Sequence, residues 1–145
     1  HRAERDALGS PVVLMGKSMG GRVGCHVAVE DPEGIAGLVC FGYPLCGAGK
    51  RDKLRDEVLK ALTVPVLFVQ GTRDAMGPLD LFEQVREAMQ APSTLHVVET
   101  GDHSLQVMKT WCKQTGRTQD DVDAEIYGAV KRFVEAGVSP GSGPP

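Results

Sequence analysis

The sequence predicts an α/β fold in which a parallel sheet of about four strands is flanked by helices. Short apolar runs rich in Val and Leu, each bounded by Gly or Pro, recur at 11–15, 35–41 and 65–69, the pattern of strands buried on both faces. Stretches with helical apolar spacing lie between them, and strands that alternate with helices build parallel βαβ units. The 145 residues, 41% hydrophobic and 24% charged, are enough for one globular core.

The elements follow in order. Pro11 to Met15 is the first strand, and the next helix carries Val23, Val27 and Ala28 as its apolar stripe until Asp31-Pro32 stops it. Ile35 to Phe41 is the second strand, and Leu54, Val58, Leu59 and Leu62 mark the second helix. Pro65 to Val69 is the third strand; Leu81 or Phe82, Val85 and Met89 mark the third helix, with Pro78 placed for its first turn. Thr94 to Glu99 is a fourth strand whose polar flanks suit a sheet edge. A loop leads to the last helix, with Val122, Ile126, Val130 and Phe133 as its stripe and Thr118 with Asp121 as a capping box using Asp in place of Glu. The Gly-, Ser- and Pro-rich stretch from Gly137 to Pro145 is expected to be a disordered tail, leaving residues 1–136 as one domain.

A net charge of -3 and a pI near 5.8 give no electrostatic footprint for nucleic acid or an anionic membrane surface. No apolar run reaches the roughly 20 residues that span a bilayer, and the charged stretch from His1 to Asp6 is unlike a signal peptide. Cys25, Cys40, Cys46 and Cys112 lack metal-site spacing, and Cys25 and Cys40 fall in apolar segments where a free thiol behaves as a small hydrophobe. The expectation is an intracellular protein, cytoplasmic or nuclear, with no metal and no cofactor.

Gly16-Lys17-Ser18-Met19-Gly20 joins the first strand to the first helix. The pattern Gly-x-Ser-x-Gly makes chemical sense at a strained strand-to-helix turn, where small neighbours let the serine hydroxyl stand clear of the backbone. Alone it is weak evidence, since average glycine usage produces it by accident in roughly one chain of this length in twenty. Asp74, in Gly71-Thr72-Arg73-Asp74, follows the third strand, and His103, in Gly101-Asp102-His103-Ser104, follows the fourth. In a parallel sheet these strand ends share an edge, so residues distant in sequence can converge there. Serine, then acid, then histidine is also a chain order in which nucleophile, orienting acid and base recur.

The roles follow from the chemistry. Ser18 Oγ needs a base to take its proton, imidazole at His103 is suited to that, and Asp74 would fix the ring and stabilise its cation. The backbone N–H of Met19 would be an oxyanion donor at the helix start. Lys17 and Arg22 add positive charge without an assigned role. The plain alternatives are a helix N-cap for Ser18, a turn residue for Asp74 and a surface loop histidine for His103. His26 and His96 read as helix and strand residues, and Asp102 as a weaker orienting acid. The Gly16-Lys17-Ser18 triplet does not make a phosphate-binding P-loop, because the required upstream glycine position holds Pro11. No Gly-x-Gly-x-x-Gly fingerprint follows the first strand either.

With these residues in place the chain resembles the α/β-hydrolase superfamily, nearest to its dienelactone-hydrolase-like branch. It is similar in particular to a hydrolase-like family that contains a testis-expressed protein and a subunit of the NSL histone-acetyltransferase complex. That likeness rests on Gly-Lys-Ser-Met-Gly-Gly-Arg at 16–22, Phe41-Gly42-Tyr43-Pro44-Leu45, Leu54-Arg55-Asp56-Glu57, Pro65-Val66-Leu67-Phe68-Val69, Met89-Gln90-Ala91-Pro92 and His103-Ser104. The resemblance implies a serine hydrolase cleaving a carboxylic ester or related acyl bond, with an unknown small-molecule substrate. The segment Gly42 to Leu62 takes the place of a lid, with Tyr43, Pro44 and Leu45 as pocket walls. The alternative is a noncatalytic hydrolase-fold scaffold in a protein complex; a small-ligand receptor is a third reading.

Several strands precede the serine in that superfamily and only one does here, so the resemblance implies the C-terminal part of the fold. The N-terminal strands, and the loop that supplies the second oxyanion donor, would be missing. Loss of one such donor costs about 10²- to 10³-fold in kcat. The segment Pro11 to Met15 would then be an exposed apolar edge, an aggregation liability. The expected outcome for the isolated chain is poor solubility and weak or absent esterase turnover; robust turnover abolished by Ser18→Ala would refute it.

Overall fold

The computed structural model describes residues 10–138. Strands β1 (Val12–Lys17), β2 (Ile35–Phe41), β3 (Val66–Gly71) and β4 (Ser93–Val98) alternate with helices α1 (Met19–Glu30), α2 (Glu57–Ala61) and α3 (Leu79–Ala88). Helices α4 (Lys109–Thr115) and α5 (Gln119–Val138) follow. The strands form one sheet in chain order, β1-β2-β3-β4, every pair parallel. Leu38 sits between Leu14 and Val66, and Phe68 between Cys40 and Leu95. All four strands therefore deliver their C-terminal ends to one edge.

The period-2 alternation of the strands divides the core in two. Leu38, Cys40, Val66 and Phe68 face one layer, with Cys25 and Ala28 of α1, Leu59 of α2 and Phe82 and Val85 of α3. Val39, Leu67, Val69 and Val98 face the other, where Val122, Ile126, Val130 and Phe133 of α5 cover them. An edge-to-face aromatic cluster fills the first layer: Phe68 and Phe82 have ring centroids 5.2 Å apart, and Tyr43 lies 6.0 and 6.2 Å from them. Cys25 and Cys40 are buried free thiols with their sulfurs 3.8 Å apart. The contact with Cys25 and burial together push the Cys40 thiol well above its usual range, so it packs as a neutral group.

Several expectations need correction. In α1 the buried face is Gly21, Cys25 and Ala28, whereas Val23 is 55% exposed. Small residues let that helix lie close to β2, and the more hydrophobic valine turns outward. The second helix is confined to Glu57–Ala61, because the Arg55 N–H bonds to the Leu45 carbonyl at 2.6 Å and ties the preceding residues to the loop. The segment expected to be loop contains α4, ended by Gly116 in the left-handed region at φ 72°. Helix α5 runs through 137 and 138, two residues into the stretch expected to be disordered; 139–145 lie outside the described residues.

Other features match. The capping box forms in both directions: Asp121 N–H donates to Thr118 Oγ1 at 3.1 Å, and Thr118 N–H to Asp121 Oδ2 at 2.9 Å. These bonds hold the Asp121 carboxyl below its ordinary value. Among the described residues β4 is a sheet edge, as its polar flanks imply. At the opposite edge β1 pairs with β2 alone among the described residues, and Met15 is 51% exposed. Among the described residues no helix is long and apolar enough to cross a membrane.

Phe68 is fully buried at the centre of the aromatic cluster. Phe68→Ala is therefore expected to cost about 3–5 kcal/mol, read as a lower urea midpoint with little change in the slope.

Candidate active site

The link from β1 to α1 is built on close backbone contact. A Cβ at Gly16 would lie 2.3 Å from the Gly20 carbonyl carbon and 2.5 Å from Gly21 N, so no other residue fits that position. Ser18 takes φ 52° and ψ -118°, a conformation uncommon for a non-glycine residue and costing of order 1–3 kcal/mol. Its N–H donates to the Phe41 carbonyl at 2.8 Å, tying the turn to the end of β2. Its hydroxyl makes no capping bond to the helix. The N-cap alternative therefore does not describe this side chain.

The turns after β3 and β4 are stitched together. A Cβ at Gly71 would lie 2.1 Å from the Gly101 carbonyl oxygen, so the two backbones are in direct contact. The Arg73 N–H donates to the Gly101 carbonyl at 2.9 Å, and the Thr100 N–H to Thr72 Oγ1 at 2.8 Å. One turn carries Asp74 and the other His103. Gly42, at φ 61°, gives His103 room: a Cβ there would sit 2.6 Å from the His103 carbonyl oxygen and 3.6 Å from Nδ1.

These turns bring Ser18, His103 and Asp74 together across 85 and 29 residues of sequence. Ser18 Oγ lies 2.8 Å from His103 Nε2, and His103 Nδ1 lies 2.9 Å from Asp74 Oδ2. The Asp74 side chain is fully buried and that of His103 is partly exposed. A carboxylate can only accept, so the neutral ring keeps its proton on Nδ1 and leaves Nε2 to accept from Ser18. The other carboxylate oxygen, Oδ1, accepts from the Met76 N–H at 2.9 Å. Asp74 is thus a held acceptor rather than a free turn residue.

The remaining sequence-derived residues divide. Met19 opens α1 directly after Ser18, and its N–H is one of the first-turn donors with no partner inside the helix. Tyr43, Pro44 and Leu45 are not walls of an open pocket. All three are buried, Tyr43 at 0% and Leu45 at 0% exposure, because the chain dives into the aromatic layer directly after Gly42. The Tyr43 hydroxyl donates to the Arg55 carbonyl at 2.9 Å, and burial pushes its ionisation far above the usual phenol range. Asp102 does not orient the imidazole: its Oδ1 accepts from the Ser104 and Gln106 N–H groups at 2.9 and 3.0 Å, shaping the loop. Lys17 is exposed, and Arg22 Nη1 lies 3.6 Å from the Met19 sulfur. His26 sits exposed on α1; His96 sits half-buried on β4, where burial lowers its pKa.

Two features escaped the sequence reading. An apolar cleft of about 530 Å³, lined by Met15, Phe41, Leu105, Ile126, Tyr127 and Val130, reaches Ser104 beside His103. Its residues come from β1, β2, the loop after β4 and α5, so no local pattern announces it. The second is Gln70, fully buried beside Asp74. A polar residue directly after a buried apolar run is the signal that finds it. No group of three His, Cys, Asp or Glu side chains among the described residues could hold a metal ion.

A parallel sheet carrying a strained serine turn on one strand end, with a buried acid and a histidine on later ones, defines an α/β hydrolase. The family described as alpha/beta hydrolase domain matches residues 2–135, and the chain belongs to it. Solved structures agree in fold. An alpha-beta serine hydrolase homologue from Coxiella burnetii is 20% identical with a TM-score of 0.57, over 71% of this chain and 46% of that one. A dienelactone hydrolase from Anabaena variabilis is 24% identical with a TM-score of 0.52, over 66% and 40%. The esterase domain of a Rhodothermus marinus protein is 20% identical with a TM-score of 0.58, over 84% and 60%. The chain spans about half the length of these proteins.

Because Gly42 is in contact with His103, Gly42→Ala should push the imidazole out of register with Ser18. The expected outcome is a loss of about 10²-fold or more in the rate at which a serine-directed probe labels the protein, with the circular dichroism spectrum unchanged.

Proposed function

We propose that this chain carries the nucleophile, base and acid of a serine hydrolase that cleaves a carboxylic ester or a related acyl bond. The observation that carries the reading is the continuous relay from Ser18 Oγ through His103 to Asp74, at 2.8 and 2.9 Å. The polarity of the relay supports it as well, since the buried carboxylate leaves the acceptor nitrogen of the ring facing the hydroxyl. In the reaction Ser18 Oγ bonds to the substrate carbonyl carbon while its proton passes to His103 Nε2. The oxyanion is received by the Met19 N–H at the positive end of α1. The tetrahedral species then collapses, the bond to the leaving oxygen breaks, and His103 returns the proton to that oxygen. Water, deprotonated by the same nitrogen, then attacks the acyl carbon; the bond to Ser18 Oγ breaks, His103 returns the proton to Oγ, and the acid leaves.

The finer placement, with the hydrolase-like family of the testis-expressed protein and the NSL complex subunit, is supported by the segments at 16–22, 41–45 and 65–69. A reducing intracellular setting is part of the same reading, supported by four free thiols of which three are buried.

A fluorophosphonate probe tests the proposal. The expected result is covalent labelling at Ser18, abolished by Ser18→Ala and slowed about 10⁴-fold by Asp74→Asn, the size of effect known when an orienting acid loses its charge. A folded longer form of the chain, carrying the strands and loop that precede the serine in the superfamily, that refuses the probe overturns the catalytic reading and leaves the noncatalytic scaffold.

A further inference from the structure

We propose that Gln70 is a positioning residue of this site: its amide holds the acceptor oxygen of Asp74 against His103 and locks that carboxylate to the loop that follows β2. This rests on the hydrolase reading for its consequence in catalysis, and on the geometry alone for its effect on the imidazole.

Gln70 is the next-to-last residue of β3 and is fully buried among apolar neighbours. A buried amide is stable only when its donors and acceptor are matched, and here both ends are used. Its Nε2 donates to Asp74 Oδ2 at 2.9 Å and lies 3.3 Å from the Gly77 carbonyl oxygen. Its Oε1 accepts from the Tyr43 N–H at 3.1 Å. The assignment of nitrogen and oxygen is unambiguous, because the partners at one end can only accept and the partner at the other can only donate.

Asp74 Oδ2 is also the atom that accepts from His103 Nδ1. One oxygen thus accepts a hydrogen bond from the imidazole and another from the amide, while Oδ1 is held by the Met76 N–H. The amide is thus the second donor on Oδ2, beside the imidazole. The other end reaches Tyr43, directly after Gly42, the residue that gives His103 its room. The same side chain therefore fixes the acid and the backbone against which the base rests. No other common residue type fits: Glu would face the Asp74 carboxylate with a second one, and an aliphatic chain would leave the buried Tyr43 N–H unpaired, at about 1–3 kcal/mol. Gly77 belongs to the same arrangement, since a Cβ there would lie 2.0 Å from Gln70 Nε2.

The test uses the full chain and two size-conserving variants. Gln70→Glu keeps the acceptor for Tyr43 and removes the donor to Asp74; Gln70→Met removes both. Where the chain turns over an ester, both are expected to lower kcat about tenfold or more with KM within about twofold, as other partners that orient a reactive group do. Independently of turnover, the downfield Nδ1–H proton resonance of His103 is expected to move upfield or broaden in both. A role confined to stability would lower Tm and leave that resonance and kcat unmoved, and that result overturns the proposal. Should neither variant fold, the unaltered chain and Asp74→Asn decide. The side-chain amide protons of Gln70 are expected to exchange slowly and to shift in Asp74→Asn; free exchange with water refutes the assignment. An unlabelled Ser18 together with a perturbed His103 resonance refutes the hydrolase reading alone.

Discussion

The site depends on backbone meeting backbone where side chains would not fit. Gly71 lies against Gly101, Gly16 against Gly20, and Gly42 against His103, each within a distance that a Cβ would violate. Parallel strands spaced about 4.8 Å apart bring three turns to one edge, but they do not bring three side chains into hydrogen-bond range. The last few ångströms are closed by removing side chains from the turns. The hydrogen bonds from Arg73 to Gly101 and from Thr100 to Thr72 then fix the two later turns as one piece. His103 and Asp74 are consequently set relative to each other by short local contacts, and Ser18 is brought to them by the pairing of β1 with β2.

The two core layers support this edge unequally. On the side of the aromatic cluster, Phe68, Phe82 and Tyr43 pack under the loop that leaves β2, and the buried amide of Gln70 joins that packing to the acid. On the other side α5 covers β2, β3 and β4, and toward β1 the apolar surface opens into the cleft between Met15 and Tyr127. One layer is closed beneath Asp74 and His103; the other is open near β1.

Much of this was legible in the sequence, for identifiable reasons. Ile35–Phe41 is read at its full extent because a strand buried on both faces is an unbroken apolar run with glycine at its end. Ser18, Asp74 and His103 could be named because each follows a strand, and a parallel sheet leaves few places for those residues to go. Val23 misled because hydrophobicity marks a helix face only where the helix has room for a side chain, and α1 packs through Gly21 and Cys25. Tyr43, Pro44 and Leu45 misled because position after a strand says nothing about inward or outward direction. Gln70 is marked locally only as a polar residue after an apolar run; its role is fixed by partners at 43 and 74 that only the folded chain supplies.

The strained serine has a consequence for durability. Ser18 stays at φ 52° only while its N–H is held by the Phe41 carbonyl and β1 is paired with β2. Among the described residues β1 has that one neighbour, whereas β3, which leads to the acid, is flanked on both sides and buried throughout. Edge strands open at lower free energy than central ones. A fluctuation too small to unfold the domain can therefore release the Ser18 turn while leaving Asp74 and His103 in place. The hydrogen-bonded chain from Ser18 to Asp74 is least robust at Ser18, and it can part there while most of the sheet is still intact.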